Sequence, residues 1–317
     1  MKALVTGGGG FLGGAIVRLL RARGDEVRSF SRGTYPGLAA LGVEEARGDL
    51  DDPAAVERAV EGRDVVFHVA AKAGVWGPRE DYVRANVGGT RHVIEACRRS
   101  GVRRLVYTSS PSVVFDGKDM EGVDERVPYP AHFEAPYPET KAAAEALVRA
   151  ANGPDLATVS LRPHLIWGPR DNHLVPRILA RGRAGQLRRI GRENKLIDSV
   201  YVDNAAEAHL LAADRLAPGS PVAGKVYFIS NGEPLPVWDL VNRILAAGGV
   251  APVTRTIPAG LARAAGFLLE KVHGALGLAG EPRLTRFVAR ELSTAHWFDI
   301  SAARRDLGYA PRVSIDE

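Results

Sequence analysis

The sequence contains one cysteine, Cys97, among its 317 residues, which excludes an intramolecular disulfide framework and a cysteine-rich zinc site. None of its apolar runs approaches the roughly 18 residues that a membrane-spanning helix needs. Its eight histidines are scattered, without the His-Glu-x-x-His spacing of zinc hydrolases. The Gly-x-Ser-x-Gly turn of serine hydrolases and the Gly-x-x-x-x-Gly-Lys-Ser/Thr phosphate loop are also missing. These absences argue against metal catalysis, serine hydrolysis and phosphoryl transfer.

The sequence has no block of basic residues and no block of acidic residues. The formal net charge of +5 comes from dispersed arginines, and the arginine pairs have no interleaved aromatic residues, so we expect no nucleic-acid partner. Hydrophobic residues make up 45% and charged residues 25%, as in ordinary globular proteins. The first residues lead straight into a predicted strand without a leader segment, and we therefore expect a cytoplasmic protein.

What the sequence does contain is a glycine-rich turn close to its amino terminus. Residues 4–6 form an apolar run typical of a buried strand, four glycines follow, and residues 13–20 have the apolar spacing of a helix. The glycines fit two frames, Gly7-x-x-Gly10-x-x-Gly13 and Gly8-x-Gly10-x-x-Gly13. Strand, glycine turn and helix together predict a dinucleotide-binding loop, in which the helix N-terminus faces the pyrophosphate.

Alternating strands and helices follow this turn. Apolar runs predict strands at 26–31, 43–48, 64–71, 104–110, 156–161 and 225–230, with helices at 53–62, 82–100, 134–151 and 240–247. This order predicts an α/β fold, a Rossmann-type doubly wound parallel sheet with a smaller C-terminal substrate-binding lobe. We assign residues 1–165, with 201–231 returning, to a NADP-binding domain, and residues 166–200 and 232–317 to the lobe. The last residues, 313–317, predict the start of one more helix.

The second predicted strand ends in Ser31 and Arg32, with no carboxylate. NAD sites usually place an acidic residue there to bind the ribose hydroxyls, and such a residue would repel a 2′-phosphate. The guanidinium of Arg32 could instead pair with that phosphate. We therefore predict NADP as the cofactor, with NAD as the alternative if Arg32 is an ordinary surface residue.

A candidate catalytic group lies farther along the chain. Tyr137 and Lys141 are four residues apart at the start of a predicted helix, so their side chains share one face. A lysine cation and an oxidised nicotinamide would both lower the pKa of the tyrosine, and in the reduction direction its phenol is a positioned acid. Ser110 is the last residue of the predicted fifth strand, at the sheet edge where open α/β folds bind ligands, and its hydroxyl could hold a substrate oxygen. Ser109 and Ser112 are rivals for that role.

Several separated motifs together resemble the extended short-chain dehydrogenase/reductases over nearly the whole chain. They are Thr6-Gly7-x-x-Gly10-x-x-Gly13, Asp49-Leu50, Ala70-Ala71, Asn86-x-x-Gly89-Thr90, Thr108-Ser109-Ser110, Tyr137-x-x-x-Lys141, and Arg162-Pro163 followed by Gly168-Pro169. The resemblance implies that Tyr137 is the acid/base with Ser110 as its partner, that Lys141 binds the nicotinamide ribose, and that Asn86 supports the proton path. The cofactor-binding residues that we predict are Gly7, Gly10, Phe11, Leu12, Gly13, Ser31, Arg32, Asp49, Leu50, Ala70, Ala71, Lys72, Tyr137, Lys141 and Pro163. No metal site is expected.

Three longer runs, at 68–77, 107–113 and 161–169, resemble the 3β-hydroxysteroid dehydrogenase-like branch of this superfamily. Within the branch, residues 228–234 and 282–287 are also similar to the bacterial reductases of 2-alkyl-3-oxoalkanoic acids in long-chain olefin biosynthesis. That resemblance implies NADPH-dependent reduction of a 3-oxo group to a 3-hydroxy acid. The alternatives are a 3β-hydroxysteroid or sterol dehydrogenase, a nucleotide-sugar epimerase or dehydratase, and a NADP-sensing scaffold without turnover.

Apolar residues that could line a pocket for a long-chain keto or hydroxy substrate are Trp76, Val114, Phe115, Phe133, Leu165, Ile166, Trp167, Phe267, Leu268 and Leu269. A substrate carboxylate could meet Lys72, Arg79, Arg170 or Lys195, among which the sequence makes no choice. Residues 261–278 form an amphipathic stretch, which we interpret as a helix packed on its own domain. Alternatively, this stretch covers an apolar pocket or lies on a membrane surface. Contact of the protein with another enzyme of its pathway is a further alternative. A homodimer is expected.

Overall fold

The computed structural model describes residues 1–278 and 280–317. Its strands are β1 (Lys2–Thr6), β2 (Glu26–Ser31), β3 (Glu44–Arg47), β4 (Val65–His68), β5 (Arg104–Thr108), β6 (Met120–Val123), β7 (Ala157–Pro163), β8 (Ile166–Trp167), β9 (Arg189–Ile190), β10 (Leu196–Ile197), β11 (Val200–Tyr201), β12 (Val226–Ile229), β13 (Leu235–Pro236), β14 (Thr256–Ile257) and β15 (His296–Phe298). Its α-helices are α1 (Phe11–Ala22), α2 (Pro36–Ala39), α3 (Pro53–Val60), α4 (Arg79–Tyr82), α5 (Gly89–Arg99), α6 (Pro136–Ala151), α7 (Leu174–Arg183), α8 (Val202–Arg215), α9 (Val237–Ala247), α10 (Ala259–Leu276) and α11 (Arg286–Glu291).

Seven of these strands form a parallel sheet in the order β3-β2-β1-β4-β5-β7-β12. The chain moves outward in one direction from β1 to β3 and in the other from β4 to β12. The reversal between β1 and β4 opens a crevice at the carboxyl edge, which is where doubly wound sheets bind dinucleotides. The predicted α/β fold with its parallel Rossmann-type sheet is confirmed.

The central strands are apolar on both faces because helices cover both. Along β5, Leu105 and Tyr107 pack into one core cluster and Val106 into another, as the two-residue period of a strand requires. Helices α1 and α8 cover the face that contains Val106, whereas α3, α5 and α6 cover the opposite face. Burial on both faces explains why the predicted strands are continuous apolar runs.

A third core lies in the C-terminal part of the chain, around Trp238, Leu245 and Ile197. A small sheet of order β13-β10-β15-β6 borders it, and β6 comes from residues 120–123, well before the predicted start of the lobe. Within residues 201–231, α8 packs on α1 and β12 pairs with β7 of the main sheet.

Two local results differ from the sequence expectation. The predicted helix 82–100 contains a π-helical turn, Val83–Gly88, between α4 and α5. The helix predicted to start at 313–317 is absent from the described chain, and this prediction was wrong. Asn204 of α8 donates to the carbonyl of Val313 and accepts from its N–H, so a tertiary contact takes the main-chain groups that a helix would use.

Candidate active site

The glycine turn forms a cradle with no room for side chains. Gly7 has a φ of +72°, a conformation that glycine adopts without strain. A Cβ on Gly13 would lie 2.2 Å from the carbonyl oxygen of Gly7, so helix and turn touch through their main chains. Helix α1 begins after Gly10 without a side-chain cap or an acidic residue in its first turn. Its free N–H groups and positive dipole end therefore suit a pyrophosphate.

A cavity of about 870 Å³ opens above this cradle, at the carboxyl ends of β1, β2, β4 and β5. Every residue that the sequence predicts to contact the cofactor lines it, from Gly7 at the turn to Pro163 at the end of β7. At its floor, Thr6 Oγ1 accepts hydrogen bonds from the N–H groups of Val69 and Ala70, both at 3.1 Å. Small residues there keep the sheet edge close to the glycines, as a flat dinucleotide requires.

Ser31, Arg32, Asp49 and Leu50 line the end of the cavity beyond β2 and β3. Tyr35, which the sequence analysis missed, lines the same end and packs its ring on Gly9. The predicted absence of a carboxylate directly after β2 leaves the exposed guanidinium of Arg32 as the charged group of that loop. This end of the cavity is suited to the adenosine part of a dinucleotide.

Tyr137, in the first turn of α6, lines the opposite end of the cavity. Burial raises the pKa of Tyr137 to about 12, although a hydrogen bond from Ser110 opposes the shift. The negative charge of Glu291, at the end of α11, raises the pKa further. A lowered pKa was expected from the lysine cation and from an oxidised nicotinamide, but Lys141 does not offset the effect of burial in this structure. A raised pKa favours the protonated phenol, which is the form that an acid needs.

The choice among three serines follows from their contacts. Ser110 lines the cavity and acts on Tyr137, and its Oγ lies 2.9 Å from the Oγ of Ser112. Ser112 is buried behind it and supports that orientation through its own N–H, which donates to Ser110 Oγ. Ser109 also lines the cavity, but it is almost completely buried and its hydroxyl lies near Glu145, whose pKa it helps to lower. Among the three, the geometry favours Ser110 as the partner of the tyrosine.

Lys141 lies one turn after Tyr137 and is almost completely buried. Its ammonium donates to the main-chain carbonyl of Thr108 and stands 4.3 Å from the ring centroid of Tyr107. Burial lowers the pKa of Lys141 to about 7. The side chain is therefore positioned at the cavity wall and can exchange a proton near neutral pH.

Asn86 lies in the π-helical turn and is buried behind the cavity. Its Oδ1 accepts from the N–H of Lys72 at 2.7 Å, and its Nδ2 donates to the carbonyl of Lys72 and to Thr140 Oγ1. Both ends of its amide are thus used to hold the segment after β4 against α6. The structure shows Asn86 as a residue that positions the cavity wall, and π-helical turns often occur at functional sites.

Of the four cations considered for a substrate carboxylate, Lys72 lines the cavity, where it pairs with Asp81 at 3.3 Å. Arg170 is exposed and is not among the residues that line the cavity. Arg79 is bound to Glu139, and Lys195 to Asp119 and Glu193. His173, which the sequence analysis missed, lines the cavity on the lobe side. No spacing in the sequence could have indicated it, because its position depends on the loop that precedes α7.

The predicted apolar pocket is only partly formed by the predicted residues. Leu165 and Ile166 line the cavity. Phe115 is instead buried in the core, where its ring lies 6.0 Å from that of Phe287. Phe267 and Leu268 are exposed on the outside of the lobe, so their assignment to the pocket was wrong.

Comparisons with known proteins agree with this geometry. Residues 4–258 match the 3-beta hydroxysteroid dehydrogenase/isomerase family. The 2-alkyl-3-oxoalkanoate reductase of Stenotrophomonas maltophilia is 54% identical over 100% of this chain and 97% of that reductase. The 3-beta-hydroxysteroid dehydrogenase of Mycolicibacterium neoaurum is 35% identical over 100% of this chain and 88% of its own. The UDP-glucose 4-epimerase of Thermus thermophilus, solved with NAD, has a TM-score of 0.75 at 27% identity, covering 100% of this chain and 96% of that one.

Proposed function

Because the chain belongs to the 3-beta hydroxysteroid dehydrogenase/isomerase family, we propose that it reduces a long-chain 2-alkyl-3-oxoalkanoic acid to the 3-hydroxy acid with NADPH. The protein is an NAD(P)-dependent oxidoreductase of the short-chain dehydrogenase/reductase type. The relatives that are 51–54% identical carry the name 2-alkyl-3-oxoalkanoate reductase, which supports this substrate class. The observation that carries the proposal is that Tyr137, Ser110 and Lys141 line the same cavity as the glycine turn. A place in long-chain olefin biosynthesis would follow from this substrate.

Each residue of the site has a separate role in the proposed reduction. A reduced nicotinamide dinucleotide, held by the glycine cradle and the N-terminus of α1, supplies the hydride when it is bound. Tyr137 donates its proton to the substrate carbonyl oxygen as negative charge develops there. Ser110 donates a hydrogen bond to the same oxygen, and Lys141 holds the ribose hydroxyls at the cavity wall. Lys72 is positioned to pair with the substrate carboxylate, with Asp81 as its partner in the free protein.

The proposed activity is tested with a substrate panel. NADPH oxidation is followed with a 2-alkyl-3-oxoalkanoic acid and with a 3-oxosteroid. Epimerisation of UDP-glucose, which causes no net oxidation of the nicotinamide, is followed separately by the formation of UDP-galactose in the presence of NAD+. We expect turnover of the 3-oxo acid and a large preference for NADPH over NADH. Turnover of the steroid without reduction of the 3-oxo acid would show a sterol dehydrogenase instead.

Replacing Arg32 by alanine is expected to weaken NADPH binding and to leave NADH binding almost unchanged. A charge-assisted hydrogen bond contributes about 1.5–3 kcal/mol, so the dissociation constant of NADPH should rise roughly 10- to 100-fold. Fluorescence titration with each dinucleotide measures the two constants, and NADH serves as the control on the same protein. A parallel loss of both affinities would mean that Arg32 supports the loop and does not read the phosphate.

Replacing Glu291 by glutamine is expected to change the pH dependence of the reverse reaction. Burial raises the pKa of Glu291 to about 7, so above that pH its charge disfavours the phenolate of Tyr137. Without that charge the pKa of Tyr137 falls, and kcat/KM for oxidation of the 3-hydroxy acid should rise at a lower pH than in the wild type. Glu134→Gln is the control, because Glu134 is paired with Arg290 at 3.1 Å. Identical profiles for wild type and Glu291→Gln would contradict this influence on Tyr137.

A further inference from the structure

The exposed apolar side chains of the described chain are concentrated on one helix. Of nine large hydrophobic residues that are well exposed, six lie in α10 or directly after it. Leu261, Leu268 and Leu276 are exposed to 60%, 63% and 67%. Spacings of seven, four and four residues place Leu261, Leu268, Val272 and Leu276 on one side of the helix. We call these four residues the α10 ridge; along a helix of 18 residues it spans most of about 27 Å.

The orientation of α10 is the reverse of what a surface helix normally shows. Such a helix buries its large apolar residues and exposes its polar ones. In α10 the buried residues are Ala262 and Gly266, and a Cβ on Gly266 would lie 2.8 Å from the main-chain nitrogen of Arg286. The small residues thus allow a close backbone contact with the start of α11, and this contact turns the ridge outward. The predicted helix packed on its own domain is therefore present, but it packs through its small residues and leaves its large apolar residues exposed.

The exposed charges of α10 are cations, and Lys271 is the one that flanks the ridge. Arg263 and Lys271 of α10 are exposed. The acidic residue of the helix, Glu270, is held by Arg286 at 2.7 Å and is only 12% exposed. Phe267 lies beside these cations, with Lys271 Nζ 5.6 Å and Arg286 Cζ 5.2 Å from its ring centroid. The α10 ridge is apolar, has cations on one flank, and carries a glutamate whose charge is neutralised by Arg286. Such a helix suits the surface of a bilayer, where acyl chains lie beneath anionic headgroups.

The inner side of α10 lies near the segment that follows the cavity wall. The His273 ring of α10 is 6.3 Å from the ring of Trp76, and the carboxylate of Glu281 accepts from the N–H of Val75. These residues follow directly on Lys72 and Ala73, which line the cavity. The relevance of this position rests on the proposed function, because a long-chain 3-oxo acid is an amphiphile that collects in bilayers.

We propose that α10 docks this protein on the surface of a bilayer that contains anionic lipid. The ridge inserts among the acyl chains, and Lys271 and Arg286, on one flank of the helix, contact the headgroup phosphates. Docking of a second copy on the ridge fits less well, because a two-fold interface would bring the same cations together. Among the described residues no helix is long and apolar enough to cross a bilayer, so α10 would lie along the surface.

Flotation with vesicles tests the proposal without any substrate, so its outcome is independent of the proposed activity. Wild type should float with vesicles of phosphatidylcholine and phosphatidylglycerol, much less with phosphatidylcholine alone, and less at high salt. The double variant Leu268→Glu and Val272→Glu should lose at least roughly tenfold in partitioning, since apolar burial is replaced by charge repulsion. Leu41→Glu is the matched control, because Leu41 is 37% exposed far from α10, and it should float like wild type.

The thermal midpoint of each variant establishes that it is folded, and Leu276→Glu, at the most exposed position of the ridge, provides a second test. Equal flotation of the ridge variants and the Leu41→Glu control would overturn the proposal. The proposal would also be overturned if the wild type did not bind anionic vesicles but formed a dimer, and the ridge variants were monomeric. A second copy of the chain would then occupy the ridge.

Discussion

Replacing Tyr137 by phenylalanine is expected to lower kcat for reduction of the 3-oxo acid by roughly 10²- to 10⁴-fold, the usual contribution of a positioned general acid. The variant keeps the ring that lines the cavity and removes only the proton donor. The dissociation constant of the dinucleotide should therefore stay close to that of the wild type. Steady-state rates of NADPH oxidation, together with a fluorescence titration of the dinucleotide, separate the two effects.

Tyr35 offers a matched control for this experiment. It lines the same cavity at the adenosine end, and Tyr35→Phe removes a hydroxyl far from the reacting carbonyl. Its rate should remain within about twofold of the wild type, as for most exposed substitutions. If Tyr137→Phe were as active as Tyr35→Phe, the acid would have to be another group and the proposed mechanism would be refuted.

Replacing Gly13 by alanine should cause the second large effect, a loss of dinucleotide binding together with lower stability. The new Cβ would lie 2.2 Å from the oxygen and 2.8 Å from the carbon of the Gly7 carbonyl. Both atoms belong to the main chain of the turn, so no flexible side chain can move aside, and helix and turn must separate. Overpacking of this kind costs about 1–3 kcal/mol. Urea unfolding measures that loss, and titration with NADPH measures the binding.

The neighbouring glycine provides the control. A Cβ on Gly14 would lie 3.4 Å from the carbonyl oxygen of Gly8, which is ordinary contact. Gly14 is inside α1, where alanine is the better helix former by up to about 1 kcal/mol. Gly14→Ala should therefore bind NADPH normally and unfold at the same or a higher urea concentration. Similar losses in Gly13→Ala and Gly14→Ala would contradict the role of close packing at Gly13.

The local pattern of apolar residues was sufficient to predict the strands of the main sheet, because each is a short run with one repeat of buried side chains. Strand β2 occupies the predicted residues 26–31, and β4 is apolar on both faces because helices cover both. The predicted cofactor residues line one cavity because they follow the carboxyl ends of parallel strands, which meet at one edge by geometry. The helix α8 was missed since its alanine-rich sequence has no sharply segregated apolar face.

The Rossmann-type sheet, the glycine cradle and the spacing of Tyr137 and Lys141 follow from the amino-acid sequence, since each depends on the size or period of residues close together in the chain. Long-range packing was needed to place Ser110 next to Tyr137, to bring Lys72 to the cavity while Arg79 pairs with Glu139, and to bring Glu291 near the tyrosine. The same packing sets which side of α10 faces outward. These outcomes depend on contacts between segments far apart in the chain, such as Gly266 against α11, and amphipathic spacing does not specify which side of a helix its neighbours cover.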